Sequence, residues 1–146
     1  MSILKINILT PEKKIASFEC TKLVAEGSEG QLVIYPGHTR FITGLRICEI
    51  IMEPVKKSAK GTRTKESKLN YFVSGGYLHV EDDVVTIFTP SSEKISDIDQ
   101  ERAKTAKDKA EKVLSELKDG TDTFRAQNAL ERAIKRLTLA GKKLEK

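Results

Sequence analysis

The chain has no tryptophan among its 146 residues, and aromatics make up only 5% of it. Its core must therefore be aliphatic and of modest size. No stretch approaches the roughly 20 apolar residues that span a bilayer, which excludes direct membrane insertion by a helix. Residues 1–10 lack a basic-then-apolar leader and do not read as an Arg/Ser-rich transit segment, so the chain is expected to stay on the side of the membrane where it is made. Cys20 and Cys48 are the only cysteines. They form no CxxC pair, suggest no metal site, and are expected as buried thiols in a reducing compartment.

Signals for catalysis are equally sparse. There is no Gly-rich phosphate loop and no Walker signature. His38 and His79 have no serine or cysteine motif beside them and read as structural or interface residues. Asp82-Asp83 reads as a turn rather than an acid/base pair. The expectation is a non-catalytic protein. The net charge of +5 is spread along the chain, with 12 Lys/Arg against 10 Asp/Glu in residues 1–90 and 14 against 11 in residues 91–146. Such a balance permits an acidic partner without demanding nucleic acid.

What the chain does have is a change of period. Leu4, Ile6 and Ile8 alternate with polar residues, as in a half-buried strand. Short strands are expected over residues 15–20, 21–25, 31–35, 47–52, 70–73, 77–80 and 84–88. Gly27-Ser28-Glu29-Gly30, Pro36-Gly37 and the hairpin signal Asp82-Asp83 break them up. Ser74-Gly75-Gly76 permits close backbone approach. This spacing argues for a sandwich or barrel. Residues 53–70 hold six Lys/Arg and two Glu and are expected as an exposed, mobile loop. No aromatic residue interleaves those charges to stack on bases, which weakens the rival reading of a free-standing basic nucleic-acid-binding module.

After Pro90 the period becomes helical. Ser96 and Asp99 have capping-box spacing. Ala103, Ala106, Ala110, Val113, Leu114 and Leu117 recur at three and four residues. Gly120 is placed to stop that helix, and Thr121 or Asp122 to cap the next. Ala126, Ala129, Leu130, Ala133, Ile134, Leu137, Ala140 and Leu144 continue the stripe. The short connection predicts an antiparallel helical hairpin. The fold class is thus an all-β N-terminal sandwich, residues 1–90, followed by a C-terminal α-helical hairpin, residues 91–146.

Residues advance about 100° each on a helix. Arg102 with Lys109, and Arg125 with Arg132 and Arg136, form two stripes on the same side of an antiparallel pair. Five cations bordering one groove suit a polyphosphate, and Asp99 or Glu93 suits a base or ribose hydroxyl. Docking onto an acidic protein surface and a merely solvated basic face fit the same pattern.

Three ordered motifs carry a family resemblance over nearly the whole chain. They are Gly27-Ser-Glu-Gly-Gln-Leu-Val-Ile-Tyr-Pro-Gly-His38, Phe72-Val-Ser-Gly-Gly-Tyr-Leu-His-Val80 and Ile98-Asp-Gln-Glu-Arg-Ala103, trailed by the alanine-rich hairpin. The chain resembles the epsilon subunits of F-type ATP synthases, bacterial or chloroplast. The resemblance implies a non-catalytic rotor subunit that couples proton flow to ATP synthesis. It implies a sandwich that holds the gamma subunit and rests on the ring of c subunits, with Gly30, Gln31, Pro36, Gly37 and His38 at the rotor contact. It implies a hairpin that restrains ATP hydrolysis when it extends toward the alpha/beta head. No cofactor is required, but some members bind ATP on the folded hairpin as a regulatory ligand. Their pattern maps onto Glu93, Ile98, Asp99, Arg102, Ala103, Arg125, Arg132 and Arg136, with Lys109 where an arginine is expected. The implied location is peripheral, on the cytoplasmic face of the bacterial inner membrane, or the stromal face of the thylakoid if the protein is organellar. Gln31 stands where glutamate is common, Ile47-Cys48 replaces a Pro-Gly turn, and the basic stretch is longer than usual.

Overall fold

A computed structural model describes residues 2–116 and 120–144, the side chains of residues 120–122 and 142–144 excepted. The chain divides into two compact units, Met1–Lys94 and Ile95–Lys146. The division lies four residues beyond Pro90 because Ser92–Lys94 forms one more strand.

The first unit contains eight strands: β1 Leu4–Leu9, β2 Lys14–Gly27, β3 Gly30–Ile34, β4 Phe41–Lys57, β5 Arg63–Lys65, β6 Leu69–Glu81, β7 Val84–Phe88 and β8 Ser92–Lys94. The hydrogen-bonded order is β3-β2-β1-β7-β6-β4-β5, β8 adds to β6, and β2 also pairs with β4. The circuit β2-β1-β7-β6-β4 therefore closes on itself, which removes most free edges. All pairings are antiparallel except β1 with β7.

The core lies inside this circuit. Leu4, Ile6, Ile8, Leu23, Ile50, Met52, Val73, Leu78, Val80, Val85 and Ile87 are fully buried and aliphatic, as the composition requires. Strand alternation sets which side each residue faces. Cys20 and Cys48 are buried free thiols. Burial pushes the Cys20 thiol up to about 12, so at neutral pH it is protonated and a poor nucleophile.

Several expected elements merge. The two strands read over residues 15–25 are one strand, β2, and β6 runs unbroken through Ser74-Gly75-Gly76. Continuity at Gly76 depends on glycine: its φ is +114°, and a Cβ there would lie 1.9 Å from the Phe88 carbonyl oxygen. Asp82 and Asp83, with φ of 50° and 61°, make the two-residue turn between β6 and β7, the left-handed pair that matches strand twist in a tight hairpin. The basic stretch is not a loop. β4 continues through it, and β5 returns along it.

The second unit contains a short 3-10 turn, Ile95–Asp97, then α1 Gln100–Glu116 and α2 Gly120–Leu144. Both the turn and α1 pack on α2. Only three residues join the helices, too few to lead back along the 17 residues of α1, so the packed pair is antiparallel. Asp99, not Ser96, caps α1: its Oδ1 accepts from the Arg102 amide at 3.1 Å. Gly120 is the first residue of α2 rather than the stop of α1, and the capping expected of Thr121 or Asp122 rests on side chains outside the described residues. Ala103, Ala110, Ala126, Ala133 and Ala140 are buried as expected, but Ala106 is exposed and so are Val113 and Ile134. Leu139, absent from the expected stripe, is buried. Leu117 and the side chain of Leu144 lie outside the described residues.

Candidate functional site

The five loop residues fall into two turns at opposite ends of β3. Gly30, with φ of +123°, closes the two-residue turn between β2 and β3 opposite Gly27, and Gln31 follows it, exposed. That turn is tied to β4 by the Ser28 amide donating to the Gly44 carbonyl at 3.0 Å and by Arg46 Nη2 donating to the Ser28 carbonyl at 3.2 Å. Pro36, Gly37 and His38 belong to the second turn. The His38 amide donates to the Tyr35 carbonyl at 3.2 Å, and Gly37 has φ of +85°. Proline then glycine at the central positions is the type II pattern.

The second turn is held by acids at and beside the β6–β7 turn. The Gly37 amide donates to Asp83 Oδ1 at 2.7 Å. Arg40 pairs with Glu81, and His79 Nε2 lies 3.7 Å from the other Glu81 oxygen. The His38 ring meets Phe41 edge-on at 5.7 Å. Loop residues from one end of β3 are thus fixed by acids at the β6–β7 turn.

Beside this turn lies a feature the sequence reading missed. In register, Ile42 faces His79, Gly44 faces Tyr77, and Tyr77 faces Phe88. These residues share the outer face of the sheet. Ile42, Tyr77 and Phe88 are 67%, 61% and 49% exposed. Three large apolar side chains clustered on one solvated face mark an interaction surface. The signal was present in the sequence: Phe41-Ile42, Tyr77-Leu78 and Ile87-Phe88 are apolar in both phases of the alternation. A strand apolar in both phases has two faces to cover.

Of the nine hairpin-site residues, Glu93 lies on β8 in the first unit, half-buried, and the other eight lie in the second. Ile98 and Ala103 are buried and serve packing. Asp99 caps the helix. Arg102, Lys109 and Arg125 are exposed, while Arg132 and Arg136 are half-buried. Arg102, Lys109, Arg125 and Arg132 each precede a buried alanine by one residue. Each therefore stands about 100° from the packed line of its own helix, in the same rotational sense. Arg136 joins the stripe one turn beyond Arg132. Among the described residues, no three His, Cys, Asp or Glu gather to hold a metal. No helix among them is long and apolar enough to cross a membrane.

A β-sandwich followed by a packed helix pair is the architecture of a two-part ATP synthase subunit. The family model of the ATP synthase delta/epsilon chain β-sandwich domain matches residues 3–95. That of the delta/epsilon long α-helix domain matches residues 96–141. The chain is 38% identical over 144 residues to the ATP synthase epsilon chain of Geobacter metallireducens, covering 98% of this chain and 97% of the relative. It is 37% identical over 139 residues to that of Syntrophobacter fumaroxidans, covering 95% and 96%. The chain belongs to the ATP synthase epsilon-chain family. Its fold resembles a chain in the Euglena gracilis mitochondrial ATP synthase OSCP/F1/c-ring structure, with a TM-score of 0.71 at 22% identity over 92% of this chain and 79% of that one. It also resembles one in the Tetrahymena thermophila mitochondrial central stalk/c-ring structure, with a TM-score of 0.55 at 16% identity over 95% and 94%.

Proposed function

We propose that this chain is a non-catalytic rotor subunit whose first unit docks on the gamma subunit through the outer face bearing Ile42, Tyr77 and Phe88. The observation that carries the reading is that exposed apolar face. Its desolvation would supply the binding energy, and the turn at residues 35–38, stiffened by Asp83 and Glu81, would rest on the c-subunit ring. In this role the chain couples proton flow to ATP synthesis at the membrane surface without entering the membrane.

The helical unit would act as a brake on hydrolysis, reaching the alpha/beta head when it extends. ATP held by Arg102, Lys109, Arg125, Arg132 and Arg136, with Asp99 on the base or ribose, would favour the folded hairpin by mass action. The alignment of four cations one residue ahead of buried alanines supports a shared binding side.

Copurification with gamma tests the docking. Wild-type chain should be retained, and Ile42→Asp or Tyr77→Asp should be lost; equal retention of the variants would end this assignment. ATPase activity of the parent complex with and without residues 95–146 tests the brake, and a rise on truncation is expected. Titration calorimetry with ATP on wild type and Arg132→Ala tests the nucleotide site. Absence of heat at millimolar ATP refutes it.

A further inference from the structure

The basic stretch plays no part in the function above, and its structure gives it one. β4 and β5 form a two-stranded ribbon in which Val55, Lys56 and Lys57 face Lys65, Thr64 and Arg63. Its tip is closed by the Ser58 amide donating to the Thr62 carbonyl at 2.8 Å, the Gly61 amide to the Ser58 carbonyl at 2.9 Å, and the Thr62 amide to Ser58 Oγ at 3.1 Å. The cations therefore sit on an ordered frame. Lys56, Lys57, Lys60, Lys65 and Lys68 are exposed. Among the described residues none of these five pairs with a carboxylate, and Arg63 reaches Glu19 only at 3.9 Å.

We infer that this ribbon is an electrostatic arm that docks on an acidic protein surface elsewhere in the ATP synthase assembly, an inference that rests on the rotor role proposed above. Lys57 lies directly across from Arg63, and like charges facing each other weaken a ribbon. The arrangement works against the local fold and gains its use from a partner. Edge protection alone does not account for it. β3, the edge at the other end of the strand order, carries no charged residue.

The chemistry selects protein over the other polyanions. The tip residues Ser58, Ala59, Gly61 and Thr62 offer no ring to stack on bases and no large apolar group to enter a lipid interface. If the turn at residues 35–38 rests on the ring, β4 places the arm at the other end of a 17-residue strand from it. Anionic headgroups would be screened over the length of that strand, since the Debye length is about 8 Å. Lysines are point charges on flexible stems, which can pair with scattered carboxylates without a fixed bidentate geometry.

The test measures binding of the full-length chain to the purified alpha/beta/gamma assembly lacking this subunit, at about 50 mM and about 300 mM KCl. Three forms are compared: wild type, Ile42→Asp, and a variant carrying Lys56→Glu, Lys57→Glu and Lys60→Glu. Glutamates keep the edge charged and soluble, so a binding loss is not a solubility effect. The triple variant should bind about tenfold more weakly at low salt, as three exposed pairs allow, and should approach wild type at high salt. Ile42→Asp should bind weakly at both salts. If wild type fails to bind at all, the rotor reading falls and the arm with it. If wild type binds, Ile42→Asp is weakened and the triple variant matches wild type at low salt, the rotor reading stands and the arm is refuted. Salt-dependent binding to anionic phosphatidylglycerol vesicles or duplex DNA, with assembly binding unchanged in the triple variant, would also overturn it. Should the triple variant melt below wild type, the single tip change Lys60→Glu decides, with a twofold to threefold loss expected at low salt.

Discussion

Asp83 does two jobs, and they can be separated. It occupies a left-handed position in the β6–β7 turn, and its carboxylate accepts the Gly37 amide 46 residues away in sequence at 2.7 Å. A left-handed conformation costs an ordinary L-residue about 1–2 kcal/mol; glycine escapes that cost but loses about 0.5–1 kcal/mol of backbone entropy. The bond is made at a solvated turn, so its worth is taken as about 1 kcal/mol rather than the larger figure for buried charged bonds. In Asp83→Gly the relief in the turn and the lost bond nearly offset, and global stability should change by less than about 1 kcal/mol. In Asp83→Ala the bond goes and alanine pays the full left-handed cost, of which aspartate pays only part, for a loss of about 1–2 kcal/mol. Asn tolerates the left-handed region and keeps an acceptor oxygen, so Asp83→Asn should match wild type.

Urea unfolding of the chain reads the global term, and amide hydrogen exchange at Gly37 reads the local one. Stability should run Asp, Asn and Gly together, with Ala below. Exchange at Gly37 should instead run Asp and Asn slow, with Gly and Ala about five- to tenfold faster. The two orders differ only in where glycine falls. An unchanged Gly37 exchange rate in Asp83→Gly would show that the carboxylate does not hold the turn, and the account of a stiffened rotor contact would fail.

Other expectations follow from single positions. Gly76→Ala sets a Cβ against the Phe88 carbonyl oxygen at 1.9 Å and should cost more than about 4 kcal/mol or prevent folding, read by thermal melting or soluble yield. Cys20 is raised from 9.0 to about 12 in the folded chain. The folded state thus holds its proton more tightly than the unfolded state. Its contribution is complete below pH 9 and lost between pH 9 and 12, at about 1.4 kcal/mol per pH unit. Cys20→Ala should flatten that alkaline slope by one proton in urea titrations at stepped pH. Both buried thiols should resist a disulfide reagent at pH 8 until the chain is unfolded. Ala133→Leu, at a 1% exposed position, should overpack α2 and lower stability by about 1–3 kcal/mol, seen as loss of helical signal at lower temperature.

How much of this was readable from the residues depended on range. The Asp82-Asp83 turn, the Pro36-Gly37 turn and the alternation of β1 and β7 are local, and their physics is written in adjacent residues. β6 was read as broken because Ser74-Gly75-Gly76 looks like a stop, and β2 was read as two strands although no breaker separates Cys20 from Thr21. The strands continue because β4 pairs through both places, Ile47 with Ser74 and Leu45 with Gly76 on β6, and Pro54 with Cys20 and Glu53 with Lys22 on β2. β5 and β8 are three residues each, polar, and exist only by pairing with β4 and β6. Nothing in Arg63-Thr64-Lys65 announces a strand. Likewise, helical spacing found the alanine stripes, but Ala106 and Ile134 show that spacing alone does not say which flank of a stripe packs. The Gly37–Asp83 bond and the Ile42/Tyr77/Phe88 face join residues far apart in sequence. They needed the sheet register.

The two units differ in what holds them. Inside the sandwich, Leu, Ile, Val, Phe and Met fill the core, each worth about 1.5–3 kcal/mol when fully buried. Along the helix pair the buried positions among the described residues are Ala103, Ala110, Ala126, Ala133 and Ala140, with Leu139 the one larger side chain. A single methyl is worth about 0.8 kcal/mol, and fixing each helical backbone residue costs about 1–2 kcal/mol. Alanine offsets part of that through its high helix propensity and its lack of side-chain entropy. Separating α1 from α2 would expose the alanine methyl groups while leaving each helix its own hydrogen bonds. That property suits the brake proposed above and equally an ordinary small hairpin, so the truncation assay, not the packing, decides between them. A leucine-filled hairpin would be more stable and harder to open.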